Sequence, residues 1–514
     1  MQSPTTHHPK PTTRFMAVPL FLSVLLIAAC GLIYELVASA LASYLLGDSV
    51  TQFSTVIGTY LFAMGVGSWL SRFLSRGLVA RFITIELLVG LVGGFSSTIL
   101  FLTFAYTDAF RLVLYVLVAI LGVFVGLEIP LLMRILKDRY SFKDVVANVL
   151  TFDYLGALAA SLAFPIILVP RLGLVRSALL FGLINAGVAL WSVWLFRAHL
   201  GARRILAGAC VAVLLLLSVG MVGAERVTTI AENGIYSDEV IFARHTRYQR
   251  IVLTAWKDDL RLWLNSHLQF SSRDEYRYHE ALVHPGLAAR PTARRVLILG
   301  GGDGLAAREV LRHPGVESIT LVDLDPEMTR IFSTHPLLVA LNQRSLSSPK
   351  LHVVNDDAFV WLDKNADMFD FIIVDFPDPN NYGVGKLYTT AFYRLLSRHL
   401  SRGGLMSVQA TSPLFARKSY WCIAETIGQA GLTTYPYHLY VPSFGEWGFV
   451  LATRDGGYMP PTTLPTGLRY LTVAEVPRLF AFSADMQRVA VEPNRLNTQV
   501  LVRYYEEEWD RVNR

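Results

Sequence analysis

At 514 residues the chain has room for two or three domains, but a mean hydropathy of +0.41 and 53% hydrophobic residues exclude a wholly soluble protein. The formal charge of +6 does not mark a nucleic-acid binder, because most basic residues near the apolar stretches sit in short loops, where they set topology. Three cysteines, Cys30, Cys210 and Cys422, lack ligand-like spacing and exclude a disulfide framework or a zinc site; no metal is expected.

Residues 1–14, with Pro, Thr and His, read as a disordered tail. Seven apolar stretches follow, at 16–46, 52–71, 82–106, 110–133, 147–169, 175–196 and 204–223. Each approaches or exceeds the roughly 20 helical residues that cross a ~30 Å hydrocarbon core. They predict an α-helical multi-span membrane domain over 15–225, with the lipid bilayer as its partner. The first stretch is too long for a signal peptide and lacks a small-residue cleavage site, so it is read as a retained span. Gly90-x-x-x-Gly94 and Gly122-x-x-x-Gly126 allow helices to approach closely. Glu35, Glu86, Glu128 and Asp153 fall inside apolar stretches, each costing at least ~2.5 kcal/mol at mid-bilayer unless paired or hydrated. They mark either a site for a cationic amine or, the reading we favour, acids paired with arginines or held at the interface.

Orientation is contested by two arguments. With the N-terminus inside, the cytoplasmic segments gather Lys10, Arg14, Arg72, Arg76, Arg81, Arg134, Lys137, Arg139, Lys143, Arg197, Arg203 and Arg204, against Arg111, Arg171 and Arg176 outside. Seven spans then put the remainder outside, whereas a ligand made in the cytoplasm calls for it inside. The expectation adopted is a multi-pass cell-membrane protein whose second half is cytoplasmic.

From Arg226 onward the chain reads as soluble. Residues 226–285 predict a small β-subdomain with strands near Tyr248–Ala255 and Leu260–Asn265, then an acidic and aromatic run, Gln269 to Glu280, entering a helix. Over 286–460 strands and helices alternate: 295–300, 304–312, 318–323, 326–334, 351–355, 358–365, 370–375, 388–400, 404–410, 416–430 and a β pair near 434–452. That alternation predicts an α/β, doubly wound, Rossmann-like sheet with ligands at the C-terminal strand ends. Residues 461–514 form a C-terminal extension.

The most telling run is Val296-Leu297-Ile298-Leu299-Gly300-Gly301-Gly302-Asp303-Gly304, a buried strand breaking into glycines before a helix. Gly302, Gly304 and Ala307 fit G-x-G-x-x-G/A, and a second strand ends in Asp323, 19 residues beyond Gly304, suited to ribose hydroxyls. Asp303 inside the turn repels a pyrophosphate and suits a cationic ligand, which points away from NAD and towards a sulfonium nucleoside. Asn355-Asp356-Asp357-Ala358 suits an adenine amino edge. Asp375 and Asp378, around Phe376-Pro377, make an anionic pocket for a substrate with ammonium groups.

Together these residues resemble the spermidine synthase family, the polyamine aminopropyltransferases, and its bacterial members with multi-span regions. The resemblance covers 228–455 and rests on Tyr248-Gln249, Gln269 before Arg273-Asp274-Glu275, Tyr278-His279-Glu280, the GGGDG run, Val322-Asp323-Leu324-Asp325, Asp356-Asp357-Ala358, Asp375-x-x-Asp378 and Gly445-x-Trp447-Gly448-Phe449. It implies decarboxylated S-adenosylmethionine as co-substrate, no permanently bound cofactor, putrescine as acceptor, and a homodimer. It further implies that Gln249, Gln269, Tyr278, His279, Gly301, Asp303, Asp323, Asp357 and Ala358 hold the donor, and that Asp303, Asp375, Asp378 and Gln409 hold the amines. Asp375 is then the proton acceptor and Tyr278 orients the nucleophile. The chain departs from the family in carrying Asp323 in place of Glu, and Tyr440-Val441-Pro442-Ser443-Phe444 where an acceptor-side Tyr is usual. Two rivals stand beside this reading: an S-adenosylmethionine-dependent methyltransferase, and a membrane polyamine transporter or sensor with a non-catalytic nucleoside-binding domain. The methyl donor keeps a carboxylate, which ~4–5 Å from Asp303 is repelled by about 3–4 kcal/mol at an effective dielectric of 20.

Overall fold

The computed structural model of the protein describes residues 11–46, 49–107, 109–137, 141–236 and 238–512. The chain divides into two compact units, Met1–Val240 and Ile241–Arg514. Of the tail expected to be disordered, residues 1–10 lie outside the described residues and 11–14 belong to the first helix.

The first unit is built from long helices: α1 (Pro11–Leu46), α2 (Ser49–Leu70), α3 (Leu78–Tyr106), α4 (Phe110–Leu136), α5 (Phe142–Ala163), α6 (Val169–Leu195) and α7 (Arg203–Ile235). Among the described residues, six apolar helical stretches are long enough to cross a membrane. The stretch Phe142–Leu195, 54 residues, contains the segment foreseen at 147–169 and all but the last residue of the one at 175–196. At 1.5 Å per residue it measures about 80 Å, helix enough for two crossings. A π-helical turn, Phe164–Leu168, joins its halves, and Gly173, at φ +72°, breaks the helical path inside α6.

Small residues bring the helices together. A Cβ on Gly126 would fall 2.1 Å from the Met64 carbonyl oxygen, and one on Gly90 3.0 Å from that of Gly182, so α4 rides on α2 and α3 on α6 with backbones nearly touching. Glu86 and Glu128 are buried, and Glu86 Oε2 accepts from Asn185 Nδ2 at 2.9 Å, a neutral amide rather than the arginine favoured above. Helix α7 continues to Ile235, so residues 226–235 are helical and the β-rich segment begins later than expected.

The second unit opens with a four-stranded sheet in the order β1 (Glu239–His245), β2 (Arg250–Trp256), β3 (Asp259–Leu264), β4 (His267–Ser271). Its alternating Ile251, Leu253, Leu262 and Phe270 are buried with Met328, Ile331 and Phe332, which fixes this small sheet on the larger domain. After α8 (Glu275–Leu287) come β5 (Arg295–Gly300), α9 (Leu305–Val310), β6 (Ser318–Asp323), α10 (Pro326–Thr334), α11 (Pro336–Leu341), β7 (Leu351–Asn355), α12 (Ala358–Lys364) and β8 (Phe369–Asp375). Then follow α13 (Tyr382–Gly385), α14 (Thr390–His399), β9 (Leu400–Gln409), α15 (Arg417–Gln429), β10 (Thr433–Val441), β11 (Gly445–Thr453) and α16 (Val500–Val512).

The large sheet has the order β10-β11-β9-β8-β5-β6-β7. Strands β5 to β9 pair in parallel and β10 and β11 run antiparallel. Val296–Leu299 and Phe371–Val374 are buried without interruption, as strands covered on both faces require. From β5 the chain winds outward to β6 and β7, and β8 returns to pair on the other side of β5. The ends of β5 and β8 therefore flank the topological switch point, where a crevice opens.

Candidate active site

Strand register brings the glycine run against Asp375. Gly300, the last residue of β5, pairs with Asp375, the last of β8. Its φ is +81°, and a Cβ there would lie 2.2 Å from the Asp375 carbonyl oxygen, so only glycine lets the two strand ends meet. Gly302 serves a different purpose: its N–H donates to Asp323 Oδ2 at 3.0 Å, and a Cβ would fall 2.5 Å from that oxygen. Asp325 N donates to Asp323 Oδ1 at 2.9 Å. Burial raises the Asp323 carboxyl to about 6, against the lowering effect of these two amides. Helix α9 is only six residues long, so orienting a ligand here falls to the turn amides more than to a macrodipole.

Asp303 is half-buried in the turn, its Oδ1 accepting from Leu305 N at 2.8 Å. Burial raises its pKa, and His279 opposes the rise. His279 and Tyr278 come from the first turns of α8. His279 Nδ1 lies 2.8 Å from both the carbonyl oxygen and Oε2 of Glu275, one helical turn back. Burial alone depresses the imidazole, but the Glu275 hydrogen bond and the charges of Glu275, Asp303 and Asp375 lift it to about 9. Glu275 in turn receives a bidentate pair from Arg308, 2.9 Å at each oxygen, and these two partners hold it below its ordinary pKa against burial.

Tyr278 Oη donates to Asp375 Oδ1 at 2.6 Å. Burial raises Asp375 to about 6; His279 and the Tyr278 hydrogen bond lower it, while Asp303 raises it. Asp375 Oδ2 stands over Gly301, 3.3 Å from where a Cβ would be. Asp378 lies beyond, Oδ1 accepting from Gln409 Nε2 at 2.9 Å and Oδ2 from Thr411 Oγ1 at 3.0 Å. Gln409 also donates to the Phe376 carbonyl and accepts from Thr411 N, so one amide fixes the whole loop. Burial raises the Asp378 pKa against its hydrogen-bond donors Gln409, Tyr505 and Thr411.

Tyr278, His279, Asp303, Asp323, Asp375, Asp378 and Gln409 thus converge on the ends of β5, β6, β8 and β9 or on α8 beside them. Gly301 floors the crevice. Asp357 and Ala358 begin α12, where Asp357 Oδ1 caps the helix and Oδ2 pairs with Lys386 Nζ at 2.5 Å. Gln249 donates to Asp325 Oδ2 at 3.1 Å, one step from Asp323. Gln269, on β4, donates to the His267 carbonyl of its own strand at 3.1 Å.

Sequence reasoning passed over Arg308, Lys386, Thr411 and Tyr505, and quoted Glu275 without a role. Only Glu275 carried a signal, its four-residue spacing to His279. Thr411 is a β-branched residue at φ +57°, a strained position visible only in the folded backbone.

A sequence model of the spermine/spermidine synthase domain matches residues 275–458. Polyamine aminopropyltransferase 1 of Ralstonia nicotianae is 57% identical over 519 aligned positions, 98% of each chain. The polyamine aminopropyltransferase of Leptospira interrogans is 53% identical over 500, covering 97% of this chain and 100% of its own. A crystal structure of spermidine synthase from Thermotoga maritima is 25% identical, with a TM-score of 0.44, over 48% of this chain and 84% of its own. The 57% and 53% identities to the Ralstonia and Leptospira proteins, each along nearly the whole length, make the chain a transferase belonging to the spermine/spermidine synthase family, the polyamine aminopropyltransferases.

Proposed function

We propose that the second unit moves the aminopropyl group of decarboxylated S-adenosylmethionine to putrescine, giving spermidine and methylthioadenosine, or to a related diamine, giving its aminopropyl derivative. The observation that carries this is the row of half-buried carboxyls, Asp303, Asp375 and Asp378, along one crevice at the switch point. Such a row suits a substrate pair bearing ammonium groups and a sulfonium. In this reading Asp323 takes the ribose hydroxyls, with Gln249 and Gln269 on the same side. Asp357 and Ala358 face the adenine edge, and Asp303 with His279 holds the donor's amine end.

The acceptor arrives as an ammonium. Deprotonating an alkylamine of pKa about 10.4 costs roughly 4–5 kcal/mol at pH 7. Asp375, with Oδ1 held by Tyr278, offers Oδ2 to that proton. The freed nitrogen attacks the aminopropyl carbon in line with the sulfonium; the N–C bond forms as C–S breaks, and the electron pair returns to sulfur. Asp378 holds the nitrogen or the distal ammonium. Fixing nitrogen, carbon and sulfur in one line supplies much of the rate.

We place the first unit in a bilayer and the catalytic unit on the cytoplasmic side, where a charged nucleoside donor is made; labelling of introduced cysteines from either side checks this. The functional test is methylthioadenosine release by the purified full-length protein with putrescine, cadaverine, agmatine and spermidine, beside calorimetry with both forms of the donor. The expected result is release with a diamine and tighter binding of the decarboxylated form. Tighter binding of the carboxylated methyl donor sinks the proposal.

A further inference from the structure

Helix α16 lies outside the residues 275–458 matched by the domain model, yet it reaches the Asp378 carboxylate. The Tyr505 hydroxyl is a hydrogen-bond partner of Asp378, and the side chain is 8% exposed. The approach is fixed at several independent points. Fully buried Asn494 donates from Nδ2 to the carbonyls of Gly385 and Tyr388, 3.1 Å each, and its own carbonyl accepts from Thr390 N at 3.0 Å. These bonds tie the C-terminal extension to the segment that follows Asp378. At the far end, Glu508 accepts from Lys418 N at 2.7 Å and Ser419 N at 3.0 Å, capping the start of α15.

Between those anchors the aromatic side chains continue around the acceptor end of the crevice. Tyr505 packs on Trp509, ring centroids 5.8 Å apart, and Trp509 on Phe415 at 6.2 Å. A Cβ on Gly445 would lie 2.9 Å from the Phe415 ring, and next to Gly445 Phe444 meets Tyr278 at 6.4 Å. Asp274 holds that hairpin tip by accepting from Ser443 N and Oγ, 2.6 and 2.9 Å. The collar therefore runs from Tyr278 through the β10–β11 tip and Phe415 to α16, and closes on Asp378.

We infer that Tyr505 is an acceptor-positioning residue: through it the C-terminal helix orients Asp378 and forms the wall that sets which amine lengths fit. The inference rests on the aminopropyl-transfer reading. Asp378 takes hydrogen bonds from Gln409, Thr411 and Tyr505, which leaves few orientations open to it. Loss of the Tyr505 hydroxyl frees the carboxylate to turn from the ammonium; loss of the ring opens the wall.

The test is steady-state kinetics of full-length wild type, Tyr505→Phe and Tyr505→Ala, with the donor and acceptor constants measured separately. Tyr505→Phe is expected to raise acceptor KM about tenfold, the scale of one hydrogen bond to a charged group, with donor KM and Tm held. Tyr505→Ala is expected to shift the kcat/KM ratio for spermidine over putrescine upward by about tenfold. Unchanged acceptor constants in an active Tyr505→Phe protein overturn the inference and spare the reading beneath it. Donor and acceptor KM rising together with a falling Tm also overturn it, because that is the signature of a merely structural contact. A wild type that transfers to no amine overturns both.

Discussion

Tyr278 Oη stands 2.6 Å from Asp375 Oδ1, and this contact splits the carboxylate into an occupied oxygen and one that takes no hydrogen bond among the described residues. Burial and the Asp375 charge both oppose ionisation of the phenol, so Tyr278 stays a donor and cannot serve as the base. Asp375→Asn keeps the shape and removes the proton acceptor. We expect kcat to fall by about 10²–10⁴-fold with donor affinity within threefold. Tyr278→Phe, which leaves the base but frees its orientation, is expected to cost about tenfold. An Asn variant of near-normal kcat removes Asp375 from the chemistry.

The pH dependence follows from the same carboxyl. Asp375 is raised to about 6, so below that pH it carries a proton and cannot take another from the ammonium. kcat/KM for the acceptor should fall tenfold per unit below about pH 6 and level off above about 7. His279, lifted to about 9, supplies positive charge to the crevice up to that pH. Its loss at higher pH raises Asp375 and weakens the site's hold on its carboxylates. A profile with no acid limb down to pH 5 contradicts the assignment.

Two glycines of one turn should fail in different ways. Gly300→Ala meets backbone at 2.2 Å and a positive φ, so it should lower stability by at least about 2 kcal/mol and expression with it. Gly302 has an ordinary backbone conformation, and the three atoms nearest an added methyl all belong to the Asp323 carboxylate. Gly302→Ala should fold with a near-normal Tm and lose donor affinity by tenfold or more in calorimetry. Equal Tm losses in both would show that the Asp323 contact is structural.

Much of the second unit was legible in the chain because its strands β5 to β8 are rich in apolar residues and end in glycine, Asn or Asp. The foreseen elements at 295–300, 318–323, 326–334 and 351–355 coincide with β5, β6, α10 and β7. Asp303, Asp323, Asp375 and Asp378 could be read together because parallel strands deliver their ends to one edge. What escaped depends on long-range pairing. Lys386 meets Asp357 across 29 residues, Arg308 meets Glu275 across 33, and Tyr505 reaches Asp378 from an extension with no motif. Residues 226–235 were misjudged because polar residues follow the span without a helix stop, and the helix runs on.

The buried chain His279, Glu275 and Arg308 makes the last prediction. All three are at most 7% exposed, and removing one partner leaves an uncompensated charge. Glu275→Gln should therefore lower stability by about 3–5 kcal/mol. The pH dependence is equally specific. His279 is raised from 6.5 to about 9 in the folded state, so its contribution is fully present below about 6.5 and is lost as pH rises through 9. Wild-type Tm should decline across that window, and the Glu275→Gln profile should be flatter. NMR titration of the imidazole should find its pKa well below 9 in the variant, since burial then acts with Glu275's charge removed. Parallel Tm profiles for the two proteins between pH 6.5 and 9 would mean that the pair does not hold the His279 proton.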